Sequence, residues 1–173
     1  FALDGLGFDT PGGRMAGHTM SASGRLGLES RSSATTIELD GTLRAGEILL
    51  GPLYAALPAH AVQLSLFARS EKGTLAIQRL RLADPDALQL EGDLGFDAKG
   101  NLDRLDIDRF NARFPAAYTR YGTGLLRNVG IDGLVAAGGL SGHASMDAKG
   151  LSAFAFQTDG LDLSFAGGRL GIA

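Results

Sequence analysis

Cysteine is absent from the 173 residues, which removes disulfides, thiolate metal sites and cysteine nucleophiles but leaves the compartment open. Histidine occurs three times, at His18, His60 and His143. None has a second histidine or a carboxylate at metal-ligand spacing beside it, so a zinc site is poorly supplied. Tryptophan is absent and aromatics make up only 7%, too few for the aromatic girdles of an outer-membrane barrel. Positive charge is not in excess. Sixteen Lys and Arg face nineteen Asp and Glu, a formal net charge of −3, which gives no general attraction to nucleic acid. The stretch 48–68 lacks charged residues of either sign and is long enough to cross a bilayer. It carries Gly51, Pro52, Pro58, His60, Gln63 and Ser65, however, and alternates from Ala61 onward, which excludes a transmembrane helix.

Catalytic signatures are missing too. There is no Gly-x-Ser-x-Gly elbow and no P-loop, and Gly5-Leu6-Gly7 meets Thr10 where a dinucleotide fingerprint needs glycine. Residues 97–108 imitate a calcium loop with Asp97, Asn101 and Asp108, but Lys99 and Leu102 occupy a ligand position and the turn-glycine position. The expectation is a protein that is not an enzyme and needs no metal or cofactor.

Glycine, by contrast, is abundant. Its 26 residues are roughly twice the usual ~7% share, which argues against a mainly helical chain. The dominant signal is alternation. Apolar residues recur with period two at Met20, Ala22, Leu26 and Leu28; at Ile37, Leu39 and Leu43; at Val62, Leu64 and Leu66; and at Leu88, Leu90, Leu94 and Phe96. Later runs are Leu140, Ala144 and Met146, then Phe154 and Phe156, then Leu161, Leu163 and Phe165. Such runs give antiparallel strands with one apolar and one wetted face. Parity slips between Ile77 and Leu80 and between Leu102 and Leu105, as β-bulges require. Turn signals separate the runs, among them Pro11-Gly12-Gly13, Asp84-Pro85-Asp86 and Gly167-Gly168. All three lysines sit in one such context, Lys72-Gly73, Lys99-Gly100 and Lys149-Gly150. The spacing predicts an all-β, elongated, curved antiparallel meander of nine to twelve strands.

One segment breaks the rhythm. Phe114, Ala117, Tyr118, Tyr121 and Leu125 fall at helical spacing after Pro115 and before Asn128 and Gly130, which predicts a short helix near 114–127. Its two tyrosines are expected to pack on the sheet. A second short helix or loop is expected at Pro52–Leu57. Four arginines, Arg109, Arg113, Arg120 and Arg127, precede the next acid, Asp132. They read as a solvated face, with anionic headgroups or phosphate as the functional alternative.

The two ends of the chain echo each other. Phe1, Asp4-Gly5-Leu6 and Gly12-Gly13-Arg14 recur 155 residues later as Phe156, Asp159-Gly160-Leu161 and Gly167-Gly168-Arg169. The echo places equivalent strands at opposite ends of one sheet, each with an exposed pairing edge. Residues 1–173 are accordingly read as one segment of a longer repetitive chain.

These features together resemble the AsmA-like superfamily of Gram-negative envelope proteins, of TamB and YdbH type and closest to the YdbH-like group. The resemblance rests on Asp4-Gly5-Leu6 with Gly12-Gly13-Arg14, on Gly46-Glu47-Ile48-Leu49-Leu50 with Pro52-Leu53-Tyr54, on Phe114-Pro115 with Tyr118 and Tyr121, and on the glycine-rich entry at 130–142. It implies a periplasm-spanning bridge, anchored in the inner membrane, whose apolar β-groove carries phospholipid acyl chains between the two membranes. The groove would be lined by Leu26, Leu28, Leu64, Leu66, Leu88, Leu90, Leu94, Phe96, Leu161, Leu163 and Phe165, with Arg113, Arg120 and Arg127 at headgroups. The implied partners are phospholipids, neighbouring segments of the same chain, and a small outer-membrane lipoprotein pairing by strand addition. The physics of the residues runs the same way, because one short helix cannot cover ten strands and a continuous apolar face must meet something. The competing reading is a structural, adhesin-like β-solenoid with a closed, ligand-free core.

Overall fold

The computed structural model describes residues 1–9, 15–31, 33–50, 53–99, 102–122, 135–147, 149–165 and 168–172. Twelve strands follow in order: β1 (Ala2–Asp9), β2 (Met15–Arg31), β3 (Ala34–Arg44), β4 (Glu47–Leu50), β5 (Leu53–Ala56), β6 (Val62–Glu71), β7 (Thr74–Asp84), β8 (Leu88–Phe96), β9 (Leu102–Phe114), β10 (Val135–Asp147), β11 (Gly150–Phe165) and β12 (Gly168–Ile172). All belong to one open antiparallel sheet, as the alternation predicts.

The sheet keeps chain order from β6 to β12. β3 and β4 both pair with one edge of β2, at residues 21–31 and 15–18, while β1 pairs along the other edge. β6 pairs with β3, and β5 with β4. Hydrogen bonds from the Ala45 N–H to the Pro58 carbonyl (2.6 Å) and from the Leu57 N–H to the Gly46 carbonyl (2.9 Å) continue the pairing across the gap. β3–β4 and β5–β6 are therefore the two arms of one long hairpin, bent where Ala45 and Gly46 take φ of 55° and 75°. The expected helix or loop at Pro52–Leu57 is instead strand β5. Its residues lie within pairing reach of Glu47–Leu50, and that pairing decides the conformation.

Both expected parity slips are bulges. Register shifts between Ile77 and Leu80, where Arg79 has φ 54°, and again around Asp103. Among the further shifts, the one at Asp108 on β9 carries no turn signal and the one at Gly160 on β11 lies inside a turn signal. The last explains why the apolar parity changes from Phe154 and Phe156 to Leu161 and Leu163.

The echoed ends are related in structure. Gly5 and Gly160 both adopt left-handed backbone, φ 65° and 57°, each in a bulged strand leading into the terminal hairpin. β1 and β12 form opposite ends of the sheet. The registers differ: Leu163 faces Leu170, whereas Phe8, its echo, faces Gly17 rather than Met15.

The helical segment is shorter than the spacing suggests. Phe114 still belongs to β9, paired with Gly138, and a cis peptide joins it to Pro115. Helical backbone begins at Ala116 and widens into a single turn at Tyr118–Gly122. The remainder of the expected helix, with Arg127, lies outside the described residues, as do the Pro11–Gly13 turn and Gly167.

Two outcomes follow from the backbone. A Cβ at Gly138 would stand 2.2 Å from the Gly160 carbonyl oxygen, and Gly138 has φ 89°. Gly138→Ala is expected to cost about 1–3 kcal/mol in urea melts. Gly171→Ala, with nothing within 4 Å of the new methyl, should change stability by no more than about 0.5 kcal/mol. Equal midpoints would contradict the bulge geometry. The free edges of β1 and β12 should make the apparent mass by light scattering rise with concentration; a strict monomer at high concentration would count against open edges.

Candidate functional site

The alternation converges on one face of the sheet. Residues opposite each other across antiparallel strands share a face, and the register aligns the apolar positions into rows that run across the strands. One row is Leu28, Ile37, Ala68, Ile77, Leu94, Leu105, Met146 and Leu151, unbroken over eight strands. Another is Gly24, Gly41, Leu64, Leu82, Leu90, Phe110, Gly142 and Phe156. The opposite face carries Arg25, Asp40, Ser65, Arg81, Glu91 and Arg109 in register, with Arg81 and Glu91 in an ion pair at 3.4 Å.

Among the described residues, no second layer covers most of the apolar face. Leu28 is 70% exposed, Phe154 62% and Leu26 60%, while Leu64, Leu66, Leu90 and Leu94 are half-buried by their in-plane neighbours. The described residues enclose no cavity of ligand size. Over the described residues away from the strap, the face is an open surface.

The residues expected to line a groove largely meet there. Leu26 and Leu66 both oppose Leu39; Leu28 and Leu94 share the first row, and Leu64 and Leu90 the second. Phe96 opposes Leu75 and Leu102 near the hairpin tips, and Leu88 opposes Asp84 and Ala112 at the other strand ends. Leu163 opposes Ala136 and Leu170 beyond the Gly160 bulge, and Leu161 is buried. Phe165 pairs with Gly168.

The arginines are not brought together. Arg113 opposes Gly139 on the strand parity of Arg109, which is the polar face. Arg120 is held inside the protein by Asp84.

Asp84 is the residue that sequence reasoning missed. It ends β7 at the parity of Leu80 and Leu82, a slot that the alternation assigns to the apolar face, and its side chain is wholly buried. Its carboxylate accepts four hydrogen bonds. His60 Nε2 lies 2.9 Å from Oδ1 and the Asp86 N–H 3.2 Å. Arg120 Nη1 and the Tyr121 hydroxyl donate to Oδ2 at 2.7 and 2.9 Å. Burial pushes the carboxyl upward, but the hydrogen bonds from His60, Arg120 and Tyr121 outweigh it and hold Asp84 below its ordinary 3.8. Burial, and then donation to Asp84, raises the Tyr121 phenol.

These bonds fasten segment 115–122 across the strand ends like a strap. It leaves β9, packs Ala117 against buried Ala87 and Ala112, and reaches β5. The alanines let two backbones approach closely, and Leu88, Phe110, Phe114 and Tyr121 pack around them. Tyr121 packs on the sheet as expected, with its hydroxyl spent on Asp84. His60, Asp84 and Asp86 present ligand atoms within 4.8 Å of one another. With Arg120 and Tyr121 already on Oδ2, the guanidinium supplies the charge a metal ion would, and the group works as a latch.

Removing one partner of a buried charge pair typically costs about 3–5 kcal/mol, and Asp84→Ala is expected to fall in that range, with protease cleavage appearing first near 115–122. The sign of the pH dependence follows from the depressed carboxyl. The stabilisation by Asp84 is complete above its unfolded value of 3.8 and is lost as pH falls through the lower folded value. Urea midpoints should therefore drop below about pH 4 in the parent and show a smaller acid limb in Asp84→Asn; identical acid limbs would refute the latch.

Comparison of the chain with protein-family models, with curated proteins and with solved structures finds no match, so the functional reading is built on the apolar face and the latch themselves.

Proposed function

We propose that the chain is a stretch of an intermembrane lipid conduit, whose open apolar face carries the acyl chains of phospholipids. One observation supports this reading above the others: apolar rows continue across eight strands, and away from the strap no described residue is layered above them. Acyl chains laid on Leu, Ile and Phe gain about 25 cal/mol per Å² removed from water. The contacts are shallow, repeated and without a closed pocket, which suits movement along the face better than tight retention. In this reading, neighbouring stretches of the same periplasmic groove extend the sheet at its free edges, and strand addition by a small lipoprotein uses the same edges. The competing solenoid needs a packed core, and the described residues supply a second layer only where the strap crosses.

The test uses one substitution on each face. Leu90 lies between Leu82 and Phe110 on the apolar face, and Glu91 lies on the other. On an open face an aspartate stays partly hydrated, so Leu90→Asp should cost only about 1–2 kcal/mol in urea while co-purifying phospholipid, measured by native mass spectrometry, falls sharply. Glu91→Ala should retain it. Unfolding of Leu90→Asp together with a lipid-free parent would favour a sealed core and end the conduit reading.

A further inference from the structure

Resting on the conduit reading, we propose that the face takes an anionic phospholipid in one orientation, with its phosphate at the margin carrying Lys72, Lys99 and Lys149 and its acyl chains running along the strands toward the strap. The two margins of the face differ in chemistry. β2, β6, β8 and β10 run toward one margin, and β3, β7, β9 and β11 return from it. The strand ends carrying Lys72, Lys99 and Lys149 therefore stand side by side there, one lysine to each connection, and these are the three lysines of the chain. All three are exposed.

The acids nearest to them are engaged in the turns. Asp97 and Asp147 accept the backbone N–H groups of Lys99 and Lys149, each at 2.8 Å, and Glu71 accepts the Arg69 guanidinium at 2.6 Å. An ammonium on a flexible four-carbon stem reaches beyond such fixed carboxylates. Just inside this margin lies the unbroken row containing Ile77, Leu94, Leu105 and Met146. An apolar floor and a rim that presents three exposed lysine ammoniums together suit an amphiphile with a phosphate head.

The opposite margin is unsuited to the head. There the strap closes over Asp84, Ala87 and Ala112, and Arg120, the nearest cation inside it, is already spent on Asp84. A phosphate would have to break that pair and then meet the freed carboxylate. The lipid thus enters from the lysine side, and the strap acts as the stop for its chain ends.

The experiment loads the full chain from vesicles containing phosphatidylglycerol or diacylglycerol and counts bound lipid by native mass spectrometry. The variant is K72Q/K99Q/K149Q, whose exposed positions leave the urea midpoint unchanged. The parent should retain phosphatidylglycerol about tenfold better than the variant does, a difference that shrinks with salt, and both should retain diacylglycerol equally. In parallel, phosphatidylglycerol with a diazirine at the acyl terminus should cross-link near Leu82 and Leu88, and one with a diazirine beside the phosphate near the three turns. Equal retention of phosphatidylglycerol by parent and variant, or a reversed cross-link map, overturns the orientation and leaves the conduit reading standing. Retention of neither lipid by the parent, or a face-to-face dimer that excludes both, removes the conduit reading and the orientation with it.

Discussion

Everything in this molecule depends on keeping one face apolar while the sheet is read strand by strand. A strand has a side-chain period of two, so a single inserted residue would send the rest of its apolar set to the wetted side. The chain absorbs such insertions as bulges. At Arg79, Asp103, Asp108 and Gly160 an extra residue in the strand coincides with a change of parity in the sequence. The two shifts cancel, and Ile77 meets Leu94 and Leu105 meets Met146 on the same side. Glycine contributes where aromatic rings lie over it. A Cβ at Gly142 would strike the Phe156 ring at 2.7 Å, and one at Gly17 the Phe8 ring at 2.5 Å. The rings cover bare backbone that no second layer of described residues shields.

Asp84 marks where this regime ends. Placed at an apolar parity, a carboxylate would be costly on a dry face, and it is tolerated because three side chains and one amide converge on it. In return it fixes the position of a segment that packs through Ala116, Ala117 and Tyr121. The strap is short, begins at a proline and includes one wide helical turn, so its intrinsic helical stability is small. Buried alanines at 87, 112 and 117 bring it close, and the latch fixes its position. Polar chemistry thus closes one margin of a face that is otherwise held by in-plane apolar contact alone.

Much of this architecture was legible because alternation is a local signal. Strands such as Leu88–Phe96 announce both their extent and their buried side, and a parity slip such as Ile77 to Leu80 announces its bulge. The face expected to be apolar is the face that the register assembles. The misreadings have physical causes. Phe114 sits at helical spacing from Ala117 and Tyr121, and all three do point toward common neighbours, but Phe114 does so from the end of a strand. Leu53–Ala56 shows no clear alternation, and only its pairing with Glu47–Leu50 makes it a strand. The latch joins residues 24, 36 and 37 positions apart, a convergence that depends on the bend in the long hairpin and on the course of the strap. One local sign did exist: an aspartate in the slot after Leu80 and Leu82.

An open apolar face is itself an argument about function. A sheet normally buries such a face against a second layer, and most of a domain's stability comes from that burial. Here the leucines of the central strands are covered only from the side, and Leu26 and Leu28 remain mostly exposed. The polar face shows that the chain can solubilise a surface when it does so: Arg25, Asp40, Arg81, Glu91 and Arg109 alternate in sign in register. In-plane contact between neighbouring side chains helps to hold the sheet, but it covers only the flanks of each residue and leaves much of the apolar area of the described strands exposed. The apolar occupant proposed above would cover that remainder, held loosely along the length of the face.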